Sequence, residues 1–381
     1  MRRIIVLAFV IGPSIGLGQA PPRRVALPPH NGRLATGFTV ITSVRELSDG
    51  RILVTDPQDL QLVVADFRGG EPKQISRRGQ GPGEYGMAGP LFGLGGDSSL
   101  MSDFMGRRVL LLDGDKIVAT VPADNPVLRA TQGFVRFADR FGHVTSLKSP
   151  DVPTGASVTG VRDSSTVLRF HRTTGKVDTI TKILDRPSAR TITRDAKGEI
   201  SSSSSRALRL RVGEQYIMHP DGWIAVVRIN PFRVDWRSPE GRWTLGTPLP
   251  VPVIRMTQKE KDASRARTAA SRAANPSSTP LPPQLQTPDD EWPDVMPPHI
   301  QGELTFSPDG DVILRRQPSA DHPGTAYYVV DRRGRLLGVL DLKDNERIIG
   351  WGAKSLYIVE TDTDDLKYIR RHPWPSVRLP G

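Results

Sequence analysis

The sequence of 381 residues contains no cysteine. Disulfide bonds, thiolate metal sites and anchoring through a lipid-modified cysteine are therefore excluded, and stability must come from a large hydrophobic core. Several catalytic and nucleotide-binding motifs are also missing: no H-E-x-x-H, no P-loop and no complete G-x-G-x-x-G occurs. The chain has 36 glycines and 34 prolines, which indicate many turns and argue against an all-α fold.

The amino terminus contains the one apolar stretch that could reach a membrane, residues 4–17, and it is broken by Gly12-Pro13. It is too short for a spanning helix, which needs about 20 residues. Basic residues precede the stretch, and Gly18-Gln19-Ala20 places small side chains where a signal peptidase reads them. We expect a signal peptide over residues 1–20 and an exported mature chain, periplasmic or extracellular, without a transmembrane segment. An uncleaved anchor is the alternative.

The formal net charge is +11, from 52 Lys and Arg against 41 Asp and Glu. This sign favours anionic partners at long range. Most of the cations are arginines, which indicate either guanidinium pairing with carboxylates and phosphates or a coding bias. No arginine cluster is interleaved with stacking aromatic residues, so nucleic acid is not expected as a partner.

A repeated hairpin predicts the fold. An apolar strand, a tight turn with glycine and a second apolar strand recur along the chain, and the turn glycines are Gly50, Gly96, Gly142, Gly222, Gly310 and Gly352. Their intervals are 46, 46, 80, 88 and 42 residues. Three of these match one four-stranded propeller blade. The pattern predicts an all-β, six-bladed β-propeller of four-stranded antiparallel blades over about residues 38–373. Two separate β-sandwiches are the alternative.

Two long intervals indicate insertions at about residues 185–205 and 251–300. The second is Pro-rich and lies between blades four and five. Thr257-Gln258-Lys259-Glu260 fits a capping box and predicts a helix that ends at Ala274, before Asn275-Pro276. We expect residues 276–298 to form a mobile flap anchored by Trp292. Residues 21–37 could add an outer strand to the last blade, and residues 374–381 form a C-terminal tail.

A Gly-rich segment follows the first blade, at residues 75–85: Ile75-Ser76-Arg77-Arg78-Gly79-Gln80-Gly81-Pro82-Gly83-Glu84-Tyr85. It resembles the blade-closing signature of a six-bladed β-propeller family of exported bacterial proteins that is related to NHL repeats. The resemblance implies the fold. It does not imply one activity, because such propellers include binding scaffolds, lactonases and lyases.

Candidate binding residues follow from the strand order of a propeller. In each blade the strands A to D alternate in direction, so A–B and C–D turns lie on one face. The B–C turns, the D-to-A linkers and both insertions lie on the other, which we call the insertion face. Loops on one side of a rigid scaffold commonly carry binding. The ligand-binding candidates there are Arg78, Glu84, Tyr85, Asp56, Asp103, Arg228, Arg315, Arg316 and Glu360.

Each group of candidates has a structural alternative. Asp56 and Asp103 could cap B–C turns through side chain to backbone bonds. The arginines Arg228, Arg315 and Arg316 could pair with acids at the channel mouth. The loop that ends at Tyr85 could act as a latch between blades one and two.

The leading hypothesis is an exported binding module without catalytic activity, monomeric, that recognises a protein, peptide or glycan on the insertion face. The rival is a metal-dependent hydrolase or lyase of the lactonase-like kind, with Glu, Asn or Asp side chains around a central ion. No catalytic, cofactor or metal residue is assigned. A divalent cation such as calcium stays open, although residues 362–365 (Asp-Thr-Asp-Asp) lack the following glycine and acidic partner of a calcium loop.

Overall fold

The computed structural model describes residues 22–122, 124–131, 134–149, 164–195, 200–274 and 291–375. The expected signal peptide, residues 275–290 of the second insertion and residues 376–381 lie outside the described residues. Within the described part of the chain, no helix has the length and apolar character needed to cross a membrane.

Two short strands, β1 (Arg24–Val25) and β2 (Gly32–Arg33), precede the ring of blades. Blade one consists of β3 (Ser43–Glu46), β4 (Ile52–Asp56), β5 (Gln61–Ala65) and β6 (Lys73–Ser76). Blade two consists of β7 (Leu91–Gly95), β8 (Ser98–Asp103), β9 (Arg108–Asp113) and β10 (Lys116–Val121). After helix α1 (Pro126–Ala130), blade three consists of β11 (Phe137–Ala138), β12 (His143–Lys148), β13 (Ser164–His171) and β14 (Val177–Leu184).

A hairpin of β15 (Ser188–Arg194) and β16 (Ile200–Ala207) precedes blade four, which consists of β17 (Gln215–Met218), β18 (Ile224–Ile229), β19 (Phe232–Arg237) and β20 (Trp243–Thr244). Helix α2 (Gln258–Ala274) then leads to blade five, with β21 (His299–Phe306), β22 (Val312–Arg316), β23 (Ala326–Val330) and β24 (Leu336–Asp341). Blade six consists of β25 (Glu346–Trp351), β26 (Ser355–Thr361) and β27 (Lys367–Pro373), and β2 pairs antiparallel with β27 as its outer strand. Strand β1 pairs parallel with β24 as a fifth strand of blade five.

The blades close into one ring. Their inner strands β3, β7, β11, β17, β21 and β25 contact one another in sequence, and β25 contacts β3. Six clusters of buried apolar side chains fill the six junctions between neighbouring blades. The strands β4 and β5 are nearly continuously apolar because both of their faces are covered by neighbouring blades. The six-bladed propeller is confirmed, and two separate sandwiches are excluded.

Glycine recurs in the A–B turns of the blades for structural reasons. Gly50 and Gly142 have φ values of 84° and 89°, a left-handed conformation that disfavours residues with a Cβ. Gly352 is held by a different constraint, since a Cβ there would lie 1.9 Å from Glu46 Oε2. The A–B turns are therefore marked by glycine for reasons of backbone conformation or close packing.

The second insertion is fixed to the insertion face by several contacts. Glu260 of α2 is buried, and its carboxylate accepts a hydrogen bond of 2.8 Å from the Ala320 N–H in the B–C turn of blade five. The N–H of Met256 donates to the Asp294 carbonyl, and the N–H of Met296 donates to the Ile254 carbonyl. The two arms of the insertion therefore pair with each other.

Part of the expected flap, residues 291–298, packs against the rest of the fold, with Trp292 buried as its anchor. Trp292 and Met296 are 8% and 4% exposed, and the guanidiniums of Arg209 and Arg265 lie over the indole of Trp292 at 4.8 and 5.7 Å. Proline content alone gave no sign that the segment would pair with residues 254–256. The rest of the expected flap, residues 276–290, lies outside the described residues.

Phe38 tests how much stability the closure of the ring provides. It is 3% exposed, packs between blades six and one, and exchanges backbone hydrogen bonds with Lys367. We predict that Phe38→Ala lowers the free energy of unfolding by about 3–5 kcal/mol, measured by urea denaturation. The control Met105→Ala, at a side chain 68% exposed, should change it by about 0.5 kcal/mol or less. Similar values for both variants would contradict the prediction.

Candidate ligand-binding cavity in the central channel

The channel widens into a cavity on the face opposite the insertion face, which we call the A–B face. Its volume is about 550 Å³, and inner strands and A–B turns of all six blades line it. The aromatic residues in its wall are Phe92, Phe137, Phe306 and Trp351, from blades two, three, five and six. The size and the mainly apolar wall are typical of small-molecule sites.

Two carboxylates in the wall are already engaged by the protein. Glu46 accepts hydrogen bonds from the Tyr357 hydroxyl and from the Ala353 N–H, the latter at 3.0 Å. Asp97 accepts the N–H and the hydroxyl of Ser48, both at 2.7 Å. These donors are uncharged, so both carboxylates keep their negative charge while hydrogen bonds within the protein occupy their oxygens.

The two arginines in the wall have no carboxylate partner within 4 Å among the described residues. Arg45 donates to the backbone carbonyls of Glu46 and Gly96, each at 2.6 Å, and burial lowers its pKa. Arg140 is exposed, and its guanidinium lies 5.0 Å from the ring centroid of Phe141. The nearby carboxylates of Asp97 and Glu46 partly offset this lowering of the pKa of Arg45.

His219 is held rigidly in the same wall. Its Nδ1 lies 2.7 Å from an Asp221 carboxylate oxygen, and the Arg332 guanidinium donates to Asp221 at 2.7 Å. The imidazole stacks on Trp351 at 4.9 Å and 14° between planes, and it meets the Phe306 ring edge-on at 4.9 Å. Burial opposes ionisation of Asp221, but His219 and Arg332 outweigh it and hold the pKa of that carboxyl well below its usual range.

None of the nine sequence-predicted candidates lines this cavity. Asp56 lies at the end of β4 on the insertion face and is 1% exposed. Its carboxylate accepts four backbone N–H groups, those of Thr39, Val40, Gln58 and Asp59, at 2.9 to 3.1 Å. The contacts join the linker into blade one to its B–C turn.

Asp103 repeats this arrangement in blade two. Its carboxylate accepts the N–H groups of Gly86, Met87 and Gly106 at 2.8 to 3.1 Å and forms a buried ion pair of 2.9 Å with Arg108. The aspartate and three of its donors each lie 47 positions after the equivalent residues of blade one. Both carboxylates therefore cap the turns and linkers of their blades.

The Gly-rich loop is anchored through Tyr85, which is fully buried and whose hydroxyl bonds to the Leu60 carbonyl and the Leu62 N–H at 2.8 and 2.9 Å. Of its three glycines at positions 79, 81 and 83, only Gly83 has a positive φ, of 74°. Gly79 is instead required because a Cβ there would lie 2.0 Å from Glu84 Oε2.

The acidic and basic side chains of this loop differ in their engagement. Glu84 accepts hydrogen bonds of 2.8 Å from the Gly81 N–H and from Arg77 Nε, which lower its pKa. Arg78 is exposed and forms a backbone bridge with Tyr85. Of the two, Arg78 presents its side chain to solvent.

Arg228 and Arg315 lie next to carboxylate side chains of the same chain. Arg228 forms ion pairs with Glu214 at 2.8 Å and Asp235 at 3.1 Å. Arg315 lies 3.9 Å from Glu303.

Arg316 and Glu360 are likewise engaged within the blades. Arg316 donates to the carbonyls of His322 and Gly324 at 3.3 and 3.2 Å. Glu360 pairs with Arg370. The insertion-face candidates thus serve mainly as intramolecular contacts.

The candidates predicted from the sequence include none of His219, Arg45, Arg140 and Trp351. Their shared signal is weak: each lies at or just before an A–B turn. Among the described residues, no group of three or more His, Asp or Glu side chains is placed to hold a metal ion.

No family model matches the chain, and no curated protein matches it. Similar solved structures include a DUF4221 family member from Bacteroides vulgatus, with 8% identity over 90% of this chain and 97% of that one and a TM-score of 0.46. Regucalcin from Agrobacterium tumefaciens, described as a calcium-binding protein, has 12% sequence identity over 92% of this chain and 98% of its own, with a TM-score of 0.38. Virginiamycin B lyase from Staphylococcus aureus has 9% sequence identity over 90% of this chain and 97% of its own, with a TM-score of 0.39.

The Asp103 cap leads to a stability prediction. Asp103→Asn removes the charge opposite buried Arg108 and puts an N–H₂ group among N–H donors, so the free energy of unfolding should fall by about 3 kcal/mol. The control Arg78→Ala, on the same face, should change it by about 0.5 kcal/mol or less. Thermal melts of both variants measure this, and equal melting temperatures would count against the cap.

His299, at the start of β21, gives the chain a pH-sensitive contact outside the cavity. It is fully buried and stacks on Phe232 at 5.4 Å. The Gln215 amide accepts the Gly302 N–H, which fixes its nitrogen as a donor to His299 Nε2 at 2.7 Å. Burial lowers the pKa of His299 to about 4, and the donor at Nε2 also requires a neutral ring.

Between the unfolded pKa of about 6.5 and the folded value, the unfolded chain binds the extra proton, so stability falls as pH falls. We predict that the parent loses about 2 kcal/mol more stability than His299→Phe between pH 7 and pH 5, because the Phe ring retains the stacking and does not titrate. Denaturation at the two pH values measures the difference. Parallel losses in parent and variant would show that His299 is not responsible.

Proposed function

We propose that this protein is a ligand-binding propeller whose site is the cavity on the A–B face, and that its ligand is a compact molecule with a flat apolar body and a carboxylate. The observation that carries the proposal is a cavity of about 550 Å³ to which all six blades contribute. A closed ring makes this wall rigid, and a preformed site costs little to order on binding.

The apolar part of the proposal rests on the four aromatic rings. Phe92 and Phe137 contact each other edge-on at 5.9 Å on one side of the cavity. Phe306 and Trp351 form a second edge-on pair at 6.4 Å. A flat ligand that packs against either pair gains about 0.5–1.5 kcal/mol per ring contact beyond burial of its apolar area.

The anionic part rests on Arg140. Its side chain is exposed and has no carboxylate within ion-pair distance in the described residues, whereas Arg45 is partly buried and interacts electrostatically with Asp97 and Glu46. A carboxylate that reached Arg140 would form a charge-assisted hydrogen bond, and such bonds contribute about 1.5–3 kcal/mol. The net positive charge of the chain favours the approach of an anion.

Binding of a protein, peptide or glycan on the insertion face stays a prediction. Asp56, Asp103 and Arg228 are engaged within the fold there, which leaves Arg78 among the charged candidates with its side chain open to solvent. We also retain the proposal that the chain is exported, supported by residues 1–20. A stoichiometric divalent ion in protein purified without chelator would favour the rival metal-dependent hydrolase or lyase instead.

Titration with 2-naphthoate tests the proposed site. We predict that tryptophan fluorescence reports binding with a dissociation constant below about 100 μM, and that Arg140→Met weakens it about tenfold by removing one charge-assisted contact. Two controls isolate the effect. Arg78→Met on the insertion face should leave the affinity unchanged, and neutral 2-naphthamide should bind the parent and Arg140→Met equally. Absence of binding, or weakening by Arg78→Met alone, would overturn the proposed site.

A further inference from the structure

We propose that the insertion face carries a docking surface for anionic phospholipid membranes, centred on the B–C turn of blade two. The inference does not depend on the ligand of the channel cavity. It starts from two exposed apolar side chains: Met105 in this turn is 68% exposed, and Phe134 in the linker to blade three is 51% exposed. Single exposed apolar residues are common, but these two belong to one cluster.

Phe104 joins the two side chains, and we call the cluster of Phe104, Met105 and Phe134 the apolar tip. The ring of Phe104 lies 5.7 Å from the ring of Phe134, with 34° between the planes. This contact brings the B–C turn of blade two against the linker to blade three. Phe104 is half-buried, whereas Met105 and Phe134 face solvent. Two loops therefore contribute to one apolar surface.

Two arginines of the same loops are exposed and carry uncompensated charge. Arg107 lies in the B–C turn, and Arg129 precedes Phe134 in the linker. The guanidinium of Arg129 donates to the backbone carbonyl of Asp124 at 3.3 Å and not to its carboxylate. Within the described part of the chain, neither arginine has a carboxylate oxygen within 4 Å.

The Gly-rich loop brings a third exposed arginine to the apolar tip. A Cβ on Gly86 would lie 3.0 Å from the Cβ of Met105, so the end of this loop contacts the B–C turn. Tyr85, the preceding residue, forms a backbone bridge with Arg78. Arg78 is exposed and likewise has no carboxylate within ion-pair distance among the described residues. Positive charge therefore accompanies the tip from three segments.

The acidic side chains of these segments do not balance this charge. Glu84 is paired with Arg77 at 2.8 Å, and Asp103 is paired with buried Arg108 at 2.9 Å. Asp124 is the remaining acid in the described residues of the loop, the turn and the linker. The surface around the tip is therefore complementary to an anionic partner.

The protrusion of the tip favours a fluid partner. Side chains as exposed as Met105 and Phe134 stand out from their loops, and a folded protein would need a matching pocket for each of them. The interfacial region of a bilayer accepts such side chains without a preformed pocket. Phosphate groups pair well with guanidiniums, and anionic lipids attract basic segments beside an apolar anchor. An anionic bilayer therefore supplies both kinds of contact at once.

The position of the tip on the ring leaves it accessible. The second insertion covers the B–C turn of blade five, where Arg267 of α2 donates to the Pro318 and Ser319 carbonyls and Ser319 is 2% exposed. Blade two lies across the ring from blade five. The channel cavity opens on the A–B face, so docking through the tip directs the cavity away from the membrane.

Sedimentation of the mature chain with vesicles tests the apolar part of the surface. The parent should bind vesicles of equal parts phosphatidylglycerol and phosphatidylcholine at least about tenfold more tightly than vesicles of phosphatidylcholine alone. Phe134→Ser should weaken binding to the anionic vesicles about tenfold, because one aromatic side chain no longer enters the interface. The matched control Phe141→Ser, at a phenylalanine 46% exposed on the A–B face, should leave binding unchanged. Equal affinities of the two variants, or no binding of the parent, would overturn the proposal.

A second pair of variants tests the charges. Arg107→Gln should weaken binding to the anionic vesicles about fivefold, since one cation near the surface is lost. The matched control Arg333→Gln, at an exposed arginine in the C–D turn of blade five on the A–B face, should have no effect. Equal losses in both variants would show that only the total charge of the chain matters and would overturn a localised docking surface.

The lack of cysteine allows a direct measurement at the tip. Met105→Cys labelled with an environment-sensitive fluorophore should shift its emission to the blue when anionic vesicles are added, whereas labelled Phe141→Cys should not. Unchanged emission at position 105 would overturn insertion of the tip. Binding of a soluble poly-glutamate peptide without binding of vesicles would assign the surface to an acidic protein partner instead. None of these outcomes affects the 2-naphthoate site, which lies on the opposite face.

Discussion

Closure of the ring at blade six is the constraint on which the rest of the structure depends. Six twisted sheets packed around an axis leave two free blade sides unless the chain joins its own ends, and here β2 completes blade six beside β27. The junction is sealed inside by apolar side chains of blades one and six and, at the channel, by the contact of Glu46 with Tyr357. Since all six inner strands form the wall of the cavity, an opening between these two blades would separate Arg45 from Trp351. The arrangement of the side chains in the cavity wall therefore depends on closure of the ring.

The insertion face shows how the same ring uses its buried charges. Asp56 and Asp103 each gather backbone N–H groups from a linker and from a B–C turn that have no strand partners. Burial of a carboxylate without hydrogen-bond donors destabilises the fold, and so does burial of a linker N–H without an acceptor. Hydrogen bonds between the carboxylate and the N–H groups remove both penalties. Repetition of this arrangement 47 residues apart shows that it belongs to the construction of a blade.

The fold could be predicted from the sequence because its signals are local. A left-handed turn needs glycine, and a strand covered on both faces needs apolar residues, so Gly50 and residues 52–55 identify a blade without knowledge of the rest. The cavity gives no such signal. The aromatic residues in its wall are of the same types as those in the core, and only the closed propeller determines which of them face the channel. They are Phe92, Phe137, Phe306 and Trp351. Charged residues at strand ends were therefore prominent in the sequence, although most of these candidates form ion pairs or hydrogen bonds within the fold.

The two faces divide the roles of polar groups. On the insertion face, carboxylates satisfy backbone donors and hold blades to linkers. On the A–B face, Arg332, Asp221 and His219 form a chain of contacts that orients the imidazole against Trp351. The imidazole is held in place by contacts made during folding, so a ligand that packs against it need not order it. A propeller suits this arrangement because side chains from separate blades converge on one channel while each stays anchored in its own sheet.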